Sequence, residues 1–401
     1  MKKIEMVDLK GQYEVIQTQV NASIISTIES TKFINGPKVK DFQEHLENYL
    51  GVKHVIPCAN GTDALQIALM GLGLKPGDEI ITTDFTFAAT VEVISLLGLT
   101  PVLVDIDLDT YNIDISAIKN VITPKTKAII PVHLFGQAAM MSEIIALAEE
   151  NDLYVVEDNA QSIGANYTFP DGIKKKTGTL GHIGTTSFFP SKNLGAYGDG
   201  GAIFTDDDQL AYKLRGMVNH GMYVRYHHDE VGVNSRLDSI QAAILDIKLN
   251  YLDFYNECRK AAAIKYTQRL ANHPKIITPI TRGDCDSHVY HQYTLRIIDA
   301  DRDALVKYLN EKNKVDISSI VVNDGIVNLS NASMVIVPQL SQDNSSNNVA
   351  TTGYVRSAIS DLIGGAPDAL DTLKELSTAL SDDSDFATTI TNQINSKQNN
   401  L

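Results

Sequence analysis

Short apolar runs alternate with amphipathic stretches over the first three quarters of the chain. Most runs are apolar at successive positions, which is typical of strands covered on both faces, and the stretches between them show the three- and four-residue spacing of helices. This alternation predicts an α/β fold with a mostly parallel sheet between helices. About seven strands are expected, within residues 55–58, 79–82, 101–105, 128–132, 154–157, 185–189 and 201–205.

Helical spacing predicts three helices between these strands, over residues 62–72, 88–97 and 142–150. A single long helix is predicted over 237–270, followed by a strand within 289–298 and a helix that begins at Asp301. The pattern therefore predicts a large N-terminal domain over residues 1–236. The long helix and the start of a smaller C-terminal α/β domain follow over 237–312.

Composition changes near residue 313. The last 89 residues contain two aromatic residues, Tyr354 and Phe386, and four Lys or Arg against ten acids. Amphipathic helices are predicted over 353–363 and 369–380, and each needs a partner to bury its apolar face. We therefore expect a separate polar tail over 313–401.

Charge and hydropathy exclude several classes of protein. The 401-residue chain has a net charge of -15, so it has no overall positive field for nucleic acid or anionic lipid. Its apolar runs are shorter than a membrane span, and no apolar signal core follows Met1. Three scattered cysteines give neither a disulfide framework nor paired zinc spacing. These features predict a cytoplasmic protein without a metal site.

Polar residues that could carry chemistry follow several of the predicted strands, and in an open parallel sheet the carboxyl ends of the strands form the ligand crevice. The first group is Asn60-Gly61-Thr62-Asp63. A helix that begins here, with Thr62 or Asp63 near its cap, would point free N–H groups at a phosphate. The alternative is an ordinary capped turn.

Two further groups contain single ionisable residues at strand ends. Asp158 could pair with the protonated nitrogen of a heterocycle, although that segment alone favours a metal ligand or a helix-capping acid. Lys192 follows an apolar, aromatic strand and precedes a glycine-rich turn, where desolvation would lower the pKa of its amine. Most lysines are surface charges, and the glycines around this one argue against that alternative.

A fourth group, Arg225-Tyr226-His227-His228, precedes Asn234 and Arg236. Adjacent histidines point in different directions and no third ligand has suitable spacing, so polar contacts to a ligand or a subunit interface are favoured over a metal. Three of these groups together indicate a pyridoxal 5'-phosphate (PLP) enzyme. Such an enzyme needs, in this chain order, a phosphate-binding turn, an Asp at a strand end and a Lys at a strand end.

Residues 1–312 resemble the DegT/DnrJ family of PLP-dependent sugar aminotransferases, which have the fold-type I architecture. The matching strings are Asn-Gly-Thr-Asp-Ala-Leu at 60–65, Pro-Val-His-Leu-Phe-Gly-Gln at 131–137, Glu-Asp-Asn-Ala-Gln at 157–161, Ser-Phe-Phe-Pro-Ser-Lys-Asn-Leu-Gly at 187–195, Gly-Asp-Gly-Gly at 198–201 and Asn-Ser-Arg-Leu-Asp-Ser-Ile-Gln at 234–241. The run at 225–228 is most similar to the WbpE/WlbE type, which aminates UDP-2-acetamido-2-deoxy-3-oxo-glucuronate for surface polysaccharide such as O-antigen lipopolysaccharide.

This resemblance implies a role for each matching residue. Lys192 would bind the cofactor aldehyde and shuttle the proton, while Asp158 would pair with the ring nitrogen. The remaining cofactor contacts would come from Gly61, Thr62, Asp63, Phe87, Gln161 and Ser187, and from Asn234 of the other subunit of a homodimer. Substrate contacts are assigned to Arg225, Tyr226, His227 and Arg236.

The implied reaction moves an amino group from glutamate, leaving 2-oxoglutarate, to a UDP-linked 3-keto sugar. Two alternatives stay open: a PLP-dependent sugar dehydratase, whose relatives carry His where this chain has Lys192, and a virion structural or glycan-attachment chimera with a vestigial aminotransferase body. The second arises because the family's usual end of the small domain is not found. From about Val349 the tail instead resembles phage tail-fibre repeats.

Overall fold

The computed structural model describes residues 7–283, 285–299, 301, 304, 305, 307, 308, 326 and 327. All of them belong to one compact unit, Met1–Ile336; a second unit, Val337–Leu401, lies outside the described residues. The predicted boundary at 313 and the two predicted tail helices also lie outside them. Both stay predictions.

A seven-stranded sheet forms the centre of the first unit, as predicted. Its spatial order is β1-β9-β8-β5-β4-β2-β3, and β9 runs antiparallel to both of its neighbours while the other strands are mutually parallel. The strands are β1 (His54–Cys58), β2 (Glu79–Thr83), β3 (Thr100–Val104), β4 (Thr126–Ile130), β5 (Tyr154–Asp158), β8 (Ile183–Ser187) and β9 (Gly201–Thr205).

Nine α-helices lie entirely within the described residues. They are α1 (Leu9–Ser30), α2 (Pro37–Leu50), α3 (Gly61–Gly71), α4 (Ala88–Leu96), α5 (Ile115–Val121), α6 (Met141–Glu150), α7 (Asp208–Met217), α8 (Ser239–Leu249) and α9 (Leu252–Leu270). The three helices predicted between strands correspond to α3, α4 and α6, with ends that agree within one residue.

The apolar character of the strands follows from helices on both faces of the sheet. Successive side chains of a strand point to opposite faces. Ile80 and Val156 belong to one core with α3, α4 and α7, whereas their neighbours Ile81 and Val155 belong to another with α5 and α6. Both alternating sets are therefore buried, and the strands have no polar face.

Short strands form three smaller sheets. Strand β6 (Asn166–Thr168) pairs with β7 (Lys174–Lys176), and β10 (Met222–Val224) pairs with β11 (His227–His228). The third sheet pairs β13 (Leu295–Ile297) with β12 (Ile276–Ile277) on one side and β14 (Ile326–Val327) on the other.

The prediction of one helix over 237–270 is wrong, because the chain forms α8 and α9 with a break at Asn250. The side-chain amide of Asn250 donates to the Asp246 carbonyl at 2.9 Å. That carbonyl is the acceptor that the Asn250 N–H would use in a continuous helix, and the N–H instead bonds Ile247. The side chain therefore competes with the helical bond at this position.

The strand predicted over 289–298 is also shorter than expected, because only 295–297 are extended in the sheet. The preceding residues are held by the loop after β4 instead. The N–H groups of Val289 and Gln292 donate to Gly136 and Phe135, and the Ala138 N–H donates to Ser287. These bonds replace strand pairing, and they join the residues before β13 to the loop after β4.

No helix among the described residues is long and apolar enough to cross a membrane.

Candidate active site

A cavity of about 700 Å³ opens at the carboxyl ends of the parallel strands. Seven of the residues expected to bind a cofactor line it: Gly61, Thr62, Phe87, Asp158, Gln161, Ser187 and Lys192. They follow β1, β2, β5 and β8, so the sheet brings together residues that are more than 130 positions apart.

The turn between β1 and α3 forms an anion-binding corner of the cavity. Asn60 is the helix cap, with its side chain accepting from the Asp63 N–H at 2.8 Å, and Thr62 and Asp63 lie near the cap, in the first turn. Among the described residues, no acceptor meets the N–H groups of Gly61 and Thr62. Two free donors at a helix N-terminus suit a phosphate.

Close packing explains the glycine in this turn. A Cβ added at Gly61 would lie 2.7 Å from the Ser187 Cβ, so a larger residue would displace the end of β8. On the other side of the turn, a Cβ at Gly201 would lie 2.4 Å from the Asn60 backbone. The ends of three adjacent strands, β1, β8 and β9, are therefore packed closely around the turn, which leaves no room for a side chain at Gly61.

Asp158 ends β5 and is 5% exposed. Each of its carboxylate oxygens has a donor from the protein: Oδ1 accepts from the Ala160 N–H at 3.1 Å, and Oδ2 accepts from the Thr90 hydroxyl at 2.8 Å. These two bonds fix the orientation of the carboxylate at the wall of the cavity.

Lys192 lies in the loop after β8. Burial lowers the pKa of its amine from 10.5 to about 8, and the negative charge of Asp158 opposes this shift. That opposing effect means that the two groups are close enough to interact. The amine is therefore easier to deprotonate than that of a surface lysine and can act as a nucleophile.

Gln161 and Phe87 complete the part of the cavity that was expected from the sequence. Gln161 is 4% exposed, and its side-chain oxygen accepts from the Phe135 N–H at 2.7 Å. This bond leaves the amide nitrogen as the end that can face a ligand. Phe87 is the residue before α4 and keeps 40% of its surface exposed, so its ring is available for stacking.

The other acid of this segment, Glu157, has a structural role. It is completely buried, and its carboxyl oxygens accept from the N–H groups of Gly178, Leu180 and Gly181 and from His133 Nε2, all within 2.8 Å. His133 Nδ1 in turn accepts from the Ala139 N–H at 3.1 Å. Glu157 thus anchors the loop that precedes β8.

Several cavity residues were not expected from the sequence, and they come mainly from α9 and the segment before β13. They include Thr86, Arg259, Tyr290 and His291. Burial and the positive charges of Lys192 and Arg259 lower the pKa of His291 well below its usual value, so this imidazole is neutral. Tyr290 and His291 were missed because residues 289–298 were predicted to form a strand. Thr86 could have been identified as a candidate, because it directly precedes Phe87.

The remaining predicted residues do not line the cavity. The Asp63 N–H is bonded to Asn60, as described above, and Arg236 is only partly exposed. Arg225, Tyr226 and His227 are exposed at the β10–β11 hairpin, with Arg225 bonded to the Tyr226 hydroxyl at 3.1 Å. Asn234 is also exposed and pairs with Asn219 through an isolated bridge.

Within the described ranges, no group of three or more His, Cys, Asp or Glu side chains could hold a metal ion. The prediction that the site uses no metal stays a prediction.

The cavity fits PLP in three respects. Free amides at the α3 N-terminus match its phosphate, the oriented carboxylate of Asp158 matches its ring nitrogen, and the amine of Lys192 matches its aldehyde. This sheet order and this set of residues define a PLP-dependent enzyme of fold type I.

Comparisons with known proteins establish the family. Residues 14–323 match the DegT/DnrJ/EryC1/StrS aminotransferase family, and the chain belongs to it. It is 46% identical over 311 residues to a "pleiotropic regulatory protein" of Geobacillus stearothermophilus, covering 77% of this chain and 82% of that protein. It is 48% identical over 294 residues to the UDP-2-acetamido-2-deoxy-3-oxo-D-glucuronate aminotransferase of Pseudomonas aeruginosa, covering 73% of this chain and 80% of that protein.

The solved structure of NtdA from Bacillus subtilis, with bound cofactor PMP, is similar to this chain with a TM-score of 0.73 and 32% identity. The similarity covers 80% of this chain and 73% of that one. The predicted family, fold class and PLP cofactor are confirmed, and the protein is a sugar-nucleotide aminotransferase.

Proposed function

We propose that the protein transfers the amino group of glutamate to a UDP-linked 3-keto sugar, with UDP-2-acetamido-2-deoxy-3-oxo-glucuronate as the substrate. The observation that carries this proposal is the environment of Lys192. Its amine is buried near Asp158 and has a lowered pKa, which suits both cofactor attachment and proton transfer. The 48% identity to the Pseudomonas aeruginosa enzyme of that name supports the choice of sugar.

The cofactor, once bound, supplies an electron-poor ring that stabilises negative charge on the substrate carbon. The protein's own residues orient it and move the proton. The amides of Gly61 and Thr62 would hold the phosphate, and Asp158 would keep the ring nitrogen charged. Lys192 would take up and return the substrate proton at its Nζ. A lysine can both lose and regain this proton near pH 8, which suits both half-reactions.

We further propose that two subunits share each active site. Asn234, Arg225, Tyr226 and His227 are exposed and do not line the cavity of their own chain, which supports a role at the cavity of a partner. Asn234 would reach the partner's cofactor phosphate. Arg236 is the second residue after Asn234, and its guanidinium would pair with the uronate carboxylate.

The test is an assay with glutamate and a panel of UDP- and dTDP-linked 3-keto sugars. We expect amination to be fastest with the UDP-linked uronate. Lys192→Ala should abolish both product formation and the visible absorption of the lysine-bound cofactor. The exposed Lys175→Ala should keep both.

Three outcomes would contradict the proposal. A protein that does not absorb in the visible range after incubation with PLP would exclude the chemistry. A deoxygenated product would indicate a dehydratase, and amination of only dTDP-linked sugars would exclude the proposed substrate. The cytoplasmic location and the role in O-antigen lipopolysaccharide synthesis stay predictions.

A further inference from the structure

A line of two threonine hydroxyls leads to the carboxylate of Asp158. Thr90 lies in the first turn of α4, and its hydroxyl donates to Asp158 Oδ2 at 2.8 Å. The oxygen of Thr86, four residues earlier, lies 2.9 Å from the Thr90 oxygen. Thr90 is completely buried and Thr86 is 2% exposed, so water does not compete for these bonds.

The direction of both hydrogen bonds follows from counting protons. A threonine hydroxyl has one proton to donate. Thr90 gives its proton to Asp158, so the bond between the two threonines must be donated by Thr86. Thr86 lines the cavity, and the line therefore runs from the cavity wall through a buried hydroxyl to the carboxylate.

Thr90 also completes the set of contacts around Asp158. Since Oδ1 is held by the Ala160 N–H, the Thr90 hydroxyl is what fixes the second oxygen. Without it, the carboxylate could rotate about its last side-chain bond and leave Oδ2 buried without a donor. The line thus controls the orientation of the group that faces the cofactor ring.

We propose that Thr90, itself oriented by Thr86, is a positioning residue that holds Asp158 toward the ring nitrogen of the cofactor. This inference rests on the proposed function. It assigns a role in the chemistry to a residue that does not touch the cavity.

The experiment compares Thr90→Val, which keeps the shape of the side chain without its hydroxyl, with Thr90→Ser, which keeps the hydroxyl. The matched control is Thr82→Val, because Thr82 is also buried and donates to a strand carbonyl, Ile130, at 2.9 Å without contacting Asp158. Three quantities are measured for each variant: the PLP dissociation constant of the apoprotein, the absorption spectrum of the loaded protein, and kcat and KM for the keto sugar.

A hydrogen bond to a charged group contributes enough that Thr90→Val should weaken PLP binding about ten-fold or more. It should also change the visible absorption and lower kcat, with little change in KM for the sugar. Thr90→Ser should restore PLP binding, the spectrum and kcat to near wild type. Thr82→Val should lower only the melting temperature.

Two results would overturn the inference. One is a Thr90→Val protein with the PLP affinity and spectrum of Thr90→Ser. The other is a Thr82→Val protein with the same losses, because the effect would then be one of general stability. If the wild-type protein binds PLP and aminates the sugar, and Thr90→Val changes neither property, this inference alone is refuted. A wild-type protein that does not bind PLP would refute the proposed function as well.

Discussion

At the scale of single residues, the active amine depends on two opposing effects. Burial favours the neutral amine of Lys192, and the carboxylate of Asp158 favours its charged form. Burial is the larger effect, so the pKa lies near 8 rather than 10.5. At neutral pH a useful fraction of the amine is already unprotonated.

The first prediction concerns the reaction of the apoprotein with PLP. Only the unprotonated amine attacks the aldehyde, so the rate should rise with pH, about ten-fold per unit at low pH, and level off above about 8. Asp158→Asn should move the midpoint to lower pH, because the opposing charge is removed. Stopped-flow absorbance measures both profiles, and a midpoint close to 10.5 would contradict the burial of this amine.

The sequence predicted Lys192 and Asp158 at strand ends, and it missed Arg259, His291 and the threonine that contacts Asp158. Lys192 and Asp158 were identifiable because an ionisable group after an apolar run requires an explanation. Thr90 is an ordinary residue of an apolar helix, and nothing in the local pattern shows that β5 places a carboxylate beside it. Such a contact joins positions that are far apart in the chain, so the fold is needed to find it.

At the scale of elements, the β1–α3 turn tolerates little change. Its backbone packs against the end of β8 through Gly61 and against β9 through Asn60. The same turn supplies the free amides for the phosphate. Packing and binding therefore depend on the same few atoms.

The second prediction follows from that packing. Gly61→Ala would place a Cβ 2.7 Å from Ser187, and we expect the displaced turn to weaken PLP binding about ten-fold or more. Gly172→Ala is the control, because it adds backbone strain in an open surface loop with φ +87° and no close contact. Equilibrium dialysis of the apoproteins measures both constants. Equal losses for the two variants would contradict a specific role for the turn.

The elements of the sheet were easier to predict than those after it. Strands buried on both faces are apolar throughout, and their helices are short and regular, so β1 to β5 and α3, α4 and α6 follow a strong pattern; α5 (Ile115–Val121) was not predicted. The break at Asn250 depends on one side chain that bonds its own helix. The segment before β13 contains the aromatic residues Tyr290 and Tyr293, which line the cavity, and from sequence such a segment is indistinguishable from a strand.

At the scale of the whole molecule, the residues predicted to bind the cofactor or the substrate lie in different places. Seven line the cavity of their own chain, whereas Asn234, Arg225, Tyr226 and His227 are exposed on the surface and Asp63 and Arg236 are partly buried. If subunits exchange residues, each chain alone has an incomplete site and two damaged chains can compensate for one another.

The third prediction tests this exchange with hybrids of two inactive variants. In a hybrid of Lys192→Ala and Asn234→Ala, one of the two sites contains an intact Lys192 and an intact Asn234. Equal mixing, with refolding to exchange subunits, should therefore restore about a quarter of wild-type activity. Steady-state assays measure the recovery.

The control mixes Lys192→Ala with Gln161→Ala. Both residues line the cavity of the same chain, so no hybrid site is intact and no activity should return. Recovery in this control, or its absence with Asn234→Ala, would contradict shared sites.

The backbone bonds that join Val289 and Gln292 to Gly136 and Phe135 restrict how the enzyme can close over a substrate. The Phe135 N–H also donates to the side chain of Gln161, which lines the cavity. Residues 289–292 are therefore linked to Gln161 through Phe135. If the sheet of β12, β13 and β14 were to move toward a bound nucleotide, the chain would have to bend after residue 292. Residues 289–292 would therefore stay with Gly136 and Phe135 during such a movement, so that one wall of the cavity would remain fixed while the other moved.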